Sequence, residues 1–280
     1  KSYPETILKK LFSSVPRRQH AIDDISISIK PKVLAENGND SEAHYYNGIV
    51  LLVGRSSSGK STLLRLLAKL ERCDEHISTI HRKSMVTIEG DSTPIIVDRK
   101  PDCLRDKTTS VLEEIFQCGM KKASNSCDIT SSEFFDSVRT LAWDFAAALG
   151  ITEKEMEGPP CDLSPSGQYI FGIACACMMS IGYEKVMTFS RIRQPTERSE
   201  LTLNQNELKS LAIHYPIIFL DELLDFEHPD IVAKVGIGLK ELSRRGAIIV
   251  SATHKPQFFE SITTRTITLS AGKILTDKYT

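Results

Sequence analysis

The sequence predicts an α/β fold organised on a mostly parallel sheet, and three features of the chain predict it. The first is the pattern G-x-x-x-x-G-K-[ST], written here as Gly54, Arg55, Ser56, Ser57, Ser58, Gly59, Lys60, Ser61 and Thr62, set between an apolar run and a helical pattern. The second is an apolar run at 216–220, a helical period after it and another apolar run at 247–251. Strand, helix, strand in that order gives parallel strands joined by a right-handed crossover. The third is helical patterning from about 108 to 182, which interrupts the alternation and reads as an inserted lobe.

From the N-terminus, residues 1–20 carry scattered charge and little periodicity. Ile25, Ile27 and Ile29 then alternate with Ser26 and Ser28, the period-two signature of a half-buried strand. The polar stretch between Pro31 and Gly48, rich in Asn, Asp and Gly, reads as a long loop. Ile49–Val53 is uncharged and rich in β-branched residues, as suits a strand buried on both faces. Behind the glycine loop, Leu63, Leu67 and Leu70 recur at helical spacing, with Leu64 and Leu66 widening the face. Residues 85–88 and 94–97 read as short strands separated by a turn.

Ser110 and Glu113 have capping-box spacing and open the helical region. Its longest helix is expected from about 131 to 149, with Phe134, Val138, Leu141, Phe145 and Leu149 on one face and Gly150 as the stop. Residues 168–182 carry no charge and are too few to span a bilayer, so they read as a buried helix. The polar run 183–212 reads as an exposed excursion. Val232, Val235, Leu239 and Leu242 mark a helix closed by Gly246, and 264–275, with Ala271 and Gly272 between apolar runs, has the pattern of a hairpin. The division expected is one domain over 1–280, with a core at about 1–107 and 213–280, a helical lobe at about 108–182 and a polar insertion at about 183–212.

At 280 residues and 41% apolar composition, the chain is long enough to bury a sizeable core. Lys+Arg 35 against Asp+Glu 36 leaves a formal charge of -1, which argues against a general affinity for nucleic acid or an anionic membrane surface. The cysteines, 7 in number and without a C-x-x-C pair, suggest neither a disulfide framework nor a zinc site. They read as reduced, mostly buried thiols of a cytosol-like compartment. No uncharged run reaches the length of a membrane span, so any work at a membrane is expected to go through a partner and not through direct insertion.

The chemistry starts with the loop. Its glycines let successive N–H groups converge on phosphate oxygens, and the helix that follows adds the partial positive charge of its N-terminus. Lys60 is placed for the outer phosphates, and the Ser61 hydroxyl for Mg²⁺. Asp221 and Glu222 end the 216–220 run, where strand C-termini of a parallel sheet form the ligand crevice. One carboxylate suits Mg²⁺ and the other a water-polarising base. His254, just past the 247–251 strand, falls at the same edge.

The glycine loop, the helical lobe, the run Leu163, Ser164, Pro165, Ser166, Gly167, Gln168, the acids Asp221 and Glu222 and the pair Thr253, His254 occur in the order and spacing of an ABC-type ATPase, which the chain resembles over nearly its whole length. The resemblance implies a P-loop NTPase core with an antiparallel β subdomain, and an ATP-binding subunit on the cytoplasmic or organelle-matrix side of a membrane. It also implies a membrane-embedded partner and a second ATPase subunit. It assigns the phosphates to Lys60, Mg²⁺ to Ser61 and Asp221, the water to Glu222 and the γ-phosphate to His254, while the signature opens a helix that completes the facing subunit's ATP site.

Several positions depart from the family. The signature L-S-G-G-Q has an extra residue and a proline here, so either Ser164 or Ser166, with Gly167 and Gln168, takes the phosphate-contacting role. Arg99 stands for the Q-loop glutamine, Leu223 for the proline after the glutamate, and Val15, or Phe12, for the adenine-stacking aromatic. The D-loop acid becomes His228 without a gap and Asp225 with one. These departures leave a rival open, a non-transport scaffold or regulator of the same design with weak or no hydrolysis.

Overall fold

The computed structural model of the chain describes residues 22, 25–29, 49–71, 86–88, 92–97, 108–124, 132–181, 216–225 and 227–279. Among them a six-stranded sheet forms the centre. Its strands are β1 (Ile49–Val53), β2 (Ile95–Ile96), β3 (Ile217–Asp221), β4 (Ile248–Thr253), β5 (Thr263–Ser270) and β6 (Lys273–Tyr279), in spatial order β2-β3-β4-β1-β5-β6. All neighbours are parallel except β5 and β6, the antiparallel part of the fold among the described residues. β1 lies between two parallel partners, which is why its run is apolar on both faces.

Period-two alternation divides the core by face. Ile49 and Leu51 of β1, Ile218 and Leu220 of β3 and Ile249 of β4 join one cluster, whereas Val50, Leu52, Phe219 and Val250 join another. The second face is covered by α1 (Lys60–Leu67) through Leu63, Leu64 and Ala68. The first is covered by the helices between β2 and β3, namely α2 (Val111–Ser124), α3 (Ser132–Ala148), α4 (Glu153–Glu157) and α5 (Pro165–Ser180), together with α6 (Pro229–Arg244).

Local chemistry sets the boundaries. The Ser110 hydroxyl accepts from Glu113 N at 3.2 Å at the start of α2. The expected face of α3 is buried at Phe134, Val138, Leu141, Phe145 and Leu149, and the chain turns off it at Gly150 with φ +85. Thr152 and Glu155 form a complete capping box on α4, and these hydrogen bonds hold the Glu155 carboxyl below the usual range. The uncharged α5 is buried almost all round, and burial pushes its Cys177 thiol up. Of the described cysteines, Cys118, Cys161, Cys175 and Cys177 form no disulfide.

Some expectations are corrected. Ile25, Ile27 and Ile29 do face the core and Ser26 and Ser28 do not, but the segment is not a strand of the sheet. It is held instead by the buried Arg265, which donates to Ser28 O at 2.5 Å and forms a two-pronged bond with Asp277. Val86, Thr87 and Ile88 form no strand either, and Leu70 lies past the end of α1 and is 69% exposed. The readings at 1–20, at 30–48, at Arg99 and at 183–212 lie outside the described residues. No helix among the described residues is long and apolar enough to cross a membrane.

Candidate functional site

Parallel pairing brings three loops to one edge of the sheet. Val53 pairs with Thr253 and Asp221 with Ala252, so the glycine loop after β1, the acids at the end of β3 and His254 after β4 are neighbours. The loop is wound by two positive φ angles, 63 at Ser57 and 101 at Gly59, and by a bond from Ser58 N to Arg55 O of 3.2 Å. The β5–β6 turn braces it, with Gly272 N donating to Ser58 O at 3.1 Å. Arg55, Ser56 and Ser57 are exposed, while Ser58 is buried with its hydroxyl unpartnered. Gly59 caps α1 without a side chain, so the first N–H groups of the helix open into the loop.

Lys60 is 3% exposed, and its ammonium donates to Gly54 O at 3.0 Å and Arg55 O at 3.3 Å. The same ammonium lies 3.6 Å from Glu222 Oε1 and 3.4 Å from His254 Nε2. Glu222 Oε1 and His254 Nε2 are 2.7 Å apart. Cation, carboxylate and imidazole thus close on one another beside the glycine loop. Beside them the Ser61 hydroxyl donates to Asp221 Oδ1 at 2.8 Å. A hydroxyl and a carboxylate in contact at the head of the loop form the hard oxygen pair that Mg²⁺ accepts, and a buried ammonium beside the N-terminus of α1 suits a polyphosphate.

The signature residues stand apart. Ser164 is the N-cap of α5 and accepts from Gly167 N at 3.2 Å, and its hydroxyl lies 3.2 Å from that of Ser166. Gln168 donates from its side chain to Leu163 O at 3.1 Å. Among the described residues, Ser164, Ser166, Gly167 and Gln168 make no hydrogen bond to the glycine loop, Asp221, Glu222 or His254. Ser164 is exposed and Ser166 is 8% exposed, which separates the two serines that the sequence left equivalent.

Two features exceeded the sequence. Asp225 is 2% exposed and accepts on both carboxylate oxygens, from the Thr253 hydroxyl and from His254 N at 2.7 Å. Its appearance among the D-loop alternatives was the signal for it. His228 is exposed and serves as N-cap of α6, its Nδ1 accepting from Asp230 N at 3.4 Å. The second is the bond from the Tyr169 hydroxyl to the Glu227 carboxylate, which ties α5 to the turn before α6 and had no local signal in the sequence.

No family model matches the chain. It is 22% identical over 231 residues to the L-cystine import ATP-binding protein TcyN of Bacillus subtilis (strain 168), a match covering 81% of this chain and 73% of that protein. It is 22% identical over 233 residues to the glutamine transport ATP-binding protein GlnQ of the same organism, covering 81% and 77%. Among solved structures, cbiO1 from Clostridium perfringens, part of the ABC transporter complex cbiONQ, superposes with a TM-score of 0.56 at 17% identity, covering 85% of this chain and 79% of that one. An ATP-binding cassette of an ABC transporter in its ADP conformation superposes with a TM-score of 0.55 at 14% identity, covering 85% and 83%.

Proposed function

We propose that this chain, whose fold is that of an ATP-binding cassette, is the ATP-binding subunit of an ABC transporter complex. The observation that carries the reading is the juxtaposition of Lys60 within its loop and of the Ser61–Asp221 pair beside it, at the sheet edge that also holds Glu222 and His254. The uncapped N–H groups at the start of α1, beside the glycine loop, take the phosphates of ATP, and Lys60 leaves its carbonyl partners for the outer phosphates. Ser61 and Asp221 would hold Mg²⁺, and the ion would supply neutralisation of the phosphate charge. Glu222 exchanges His254 for the attacking water and takes its proton as the water oxygen bonds to the γ-phosphorus and the bond to the bridging oxygen of the leaving ADP breaks, while His254 turns its Nε2 to the γ-phosphate. The helical lobe, about 108–182, faces a membrane-embedded partner, and the chain sits at the membrane through that partner.

Hydrolysis by the isolated chain is slow, because the signature is poor in donors. Pro165 has no N–H, and the N–H of Gly167 is already taken by Ser164. An efficient site therefore pairs this chain's Lys60, Asp221 and Glu222 with a signature, from Ser164, Ser166, Gly167 and Gln168 or their better equivalents, supplied by a second ATPase subunit. The regulator reading shares the nucleotide site and is favoured by the same donor count. It predicts ATP binding without turnover in any assembly.

Calorimetry on wild type and Lys60→Ala tests the nucleotide site. Removal of a charge-assisted phosphate contact weakens Mg-ATP binding by about 1.5–3 kcal/mol, and equal affinities refute the site. Steady-state ATPase assays over a range of concentrations test the partner requirement. Brisk turnover that rises with self-association, and without any other subunit, refutes it.

A further inference from the structure

We propose that Asp225 is a positioning residue for His254, holding the imidazole where it meets the terminal phosphate; the inference rests on the reading of His254 given above. Asp225 lies in the turn after β3 and is 2% exposed. Its partners are two consecutive residues at the end of β4. The Thr253 hydroxyl donates to Oδ1, and the His254 backbone N–H donates to Oδ2 at 2.7 Å. Lys255 N donates in turn to Thr253 Oγ1 at 2.9 Å, so the loop leaving β4 is threaded onto one carboxylate.

The choice of a carboxylate is informative. No cation among the described residues pairs with Asp225, and a buried carboxyl without an ion partner is costly to keep. A segment that needed only to end a strand could satisfy one N–H with a neutral side chain or water. The carboxylate satisfies two donors at once and fixes both the backbone direction and the Thr253 rotamer just before His254. From that fixed backbone the His254 ring reaches Nε2 to 2.7 Å from Glu222 Oε1 and 3.4 Å from Lys60 Nζ. Asp225 N also donates to Glu222 O at 3.4 Å, and Glu222 N to Ala252 O at 2.9 Å. The glutamate and the histidine are therefore referred to one frame, of which Asp225 is the shared member. Misplacing a reacting group by 1 Å costs up to about 10²-fold in rate, so such a frame has a function to protect.

The test reads nucleotide preference and needs no turnover. Affinities of the full chain for Mg-ATP and Mg-ADP are measured by displacement of a fluorescent nucleotide for wild type, His254→Ala, Asp225→Ala and the double variant. His254→Ala lowers the preference for ATP over ADP, by about tenfold for a lost bond to a charged phosphate, with ADP affinity unchanged. Asp225→Ala lowers it comparably, and the double variant no further than His254→Ala alone, the signature of one residue acting through another. Asp225→Asn, whose amide oxygen still accepts from His254 N–H, restores most of the preference. Equal ATP preference in Asp225→Ala and wild type overturns the inference, as does an equal loss of ATP and ADP affinity or full additivity in the double variant. If Asp225→Ala does not fold, Asp225→Ser against Asp225→Asn makes the same comparison, since a serine is too short for both donors. No change in His254→Ala overturns the reading of His254 itself, and this inference with it.

Discussion

Substituting Gly54 by alanine separates steric from conformational demands on the glycine loop. Gly54 is not among the residues with positive φ, so alanine meets no backbone strain there. Its Cβ, however, falls 2.4 Å from Leu269 O and 2.6 Å from Ser58 Oγ. Heavy atoms in contact settle at about 3.5–4.0 Å, so something must move by roughly 1 Å. Leu269 is in β5, paired across to Ile274 of β6 and close to β1, and cannot retreat without breaking ladder bonds. The loop moves instead, and with it the carbonyls and N–H groups around Lys60. Overpacking of this size costs about 1–3 kcal/mol. At about 2–4 °C per kcal/mol for a domain this large, Tm falls by roughly 2–12 °C, and Mg-ATP affinity falls at least about tenfold. Gly150→Ala is the matching control. It has φ +85 and nothing within 4 Å of the new Cβ, so it loses about 1–2 kcal/mol to strain and leaves nucleotide affinity intact. Thermal unfolding and calorimetry on both variants decide the matter. Wild-type Tm and affinity in Gly54→Ala, or a comparable affinity loss in Gly150→Ala, refutes the close-approach argument.

Glu222→Gln keeps shape and hydrogen bonding but removes the base, so ATP binding persists while turnover in the active assembly drops by roughly 10²–10⁴-fold; undiminished hydrolysis places the base elsewhere. Asp277→Ala leaves the buried Arg265 without its carboxylate and costs about 1 kcal/mol in denaturant unfolding at neutral pH. The hydrogen bond from Arg265 holds the Asp277 carboxyl below its usual value. Its contribution is thus fully present above the unfolded value near pH ~3.9 and is lost as pH falls through the lower folded one. The stability gap between wild type and variant should therefore be flat above about pH 5 and close in stronger acid, and a gap that widens on acidification contradicts the assignment.

That Lys60, Asp221, Glu222 and His254 share one edge of the sheet was legible because it depends on local pattern plus one topological rule. Ile49–Val53, the glycine loop and Lys60 are contiguous, and the parallel crossover from Ile217–Asp221 to Ile248–Thr253 brings the acids and His254 to the same edge. The helix faces of α3 and α6 were legible for the same reason, since a 3.6-residue period is written into the chain. What failed depended on partners distant in sequence. Ile25, Ile27 and Ile29 have the correct period, but whether they become a strand depends on a ladder partner, and Arg265 supplies a side-chain tether instead. Asp225 could not be separated from His228 by spacing, because the decisive fact is a pair of donors at the end of the next strand, 28 and 29 residues further on. Tyr169 and Glu227 meet only through packing of α5 near α6.

The turn after β3 shows how a departure in sequence reaches the chemistry. Glu222 adopts φ 51, a left-handed conformation that costs an ordinary residue about 1–2 kcal/mol. The two residues after it, Leu223 and Leu224, are each 2% exposed, and burying one leucine is worth about 1.5–3 kcal/mol. The burial of the pair outweighs the strain, and the bond from Glu222 N to Ala252 O secures the bend. A proline at 223 restricts the residue before it to extended conformations and removes an apolar side chain from the core. With leucine there, the chain bends sharply at the glutamate, and the carboxylate that leaves this bend meets His254 at 2.7 Å and Lys60 at 3.6 Å. The close arrangement of cation, carboxylate and imidazole is therefore rooted in core packing next to the site as much as in attraction between the charges themselves.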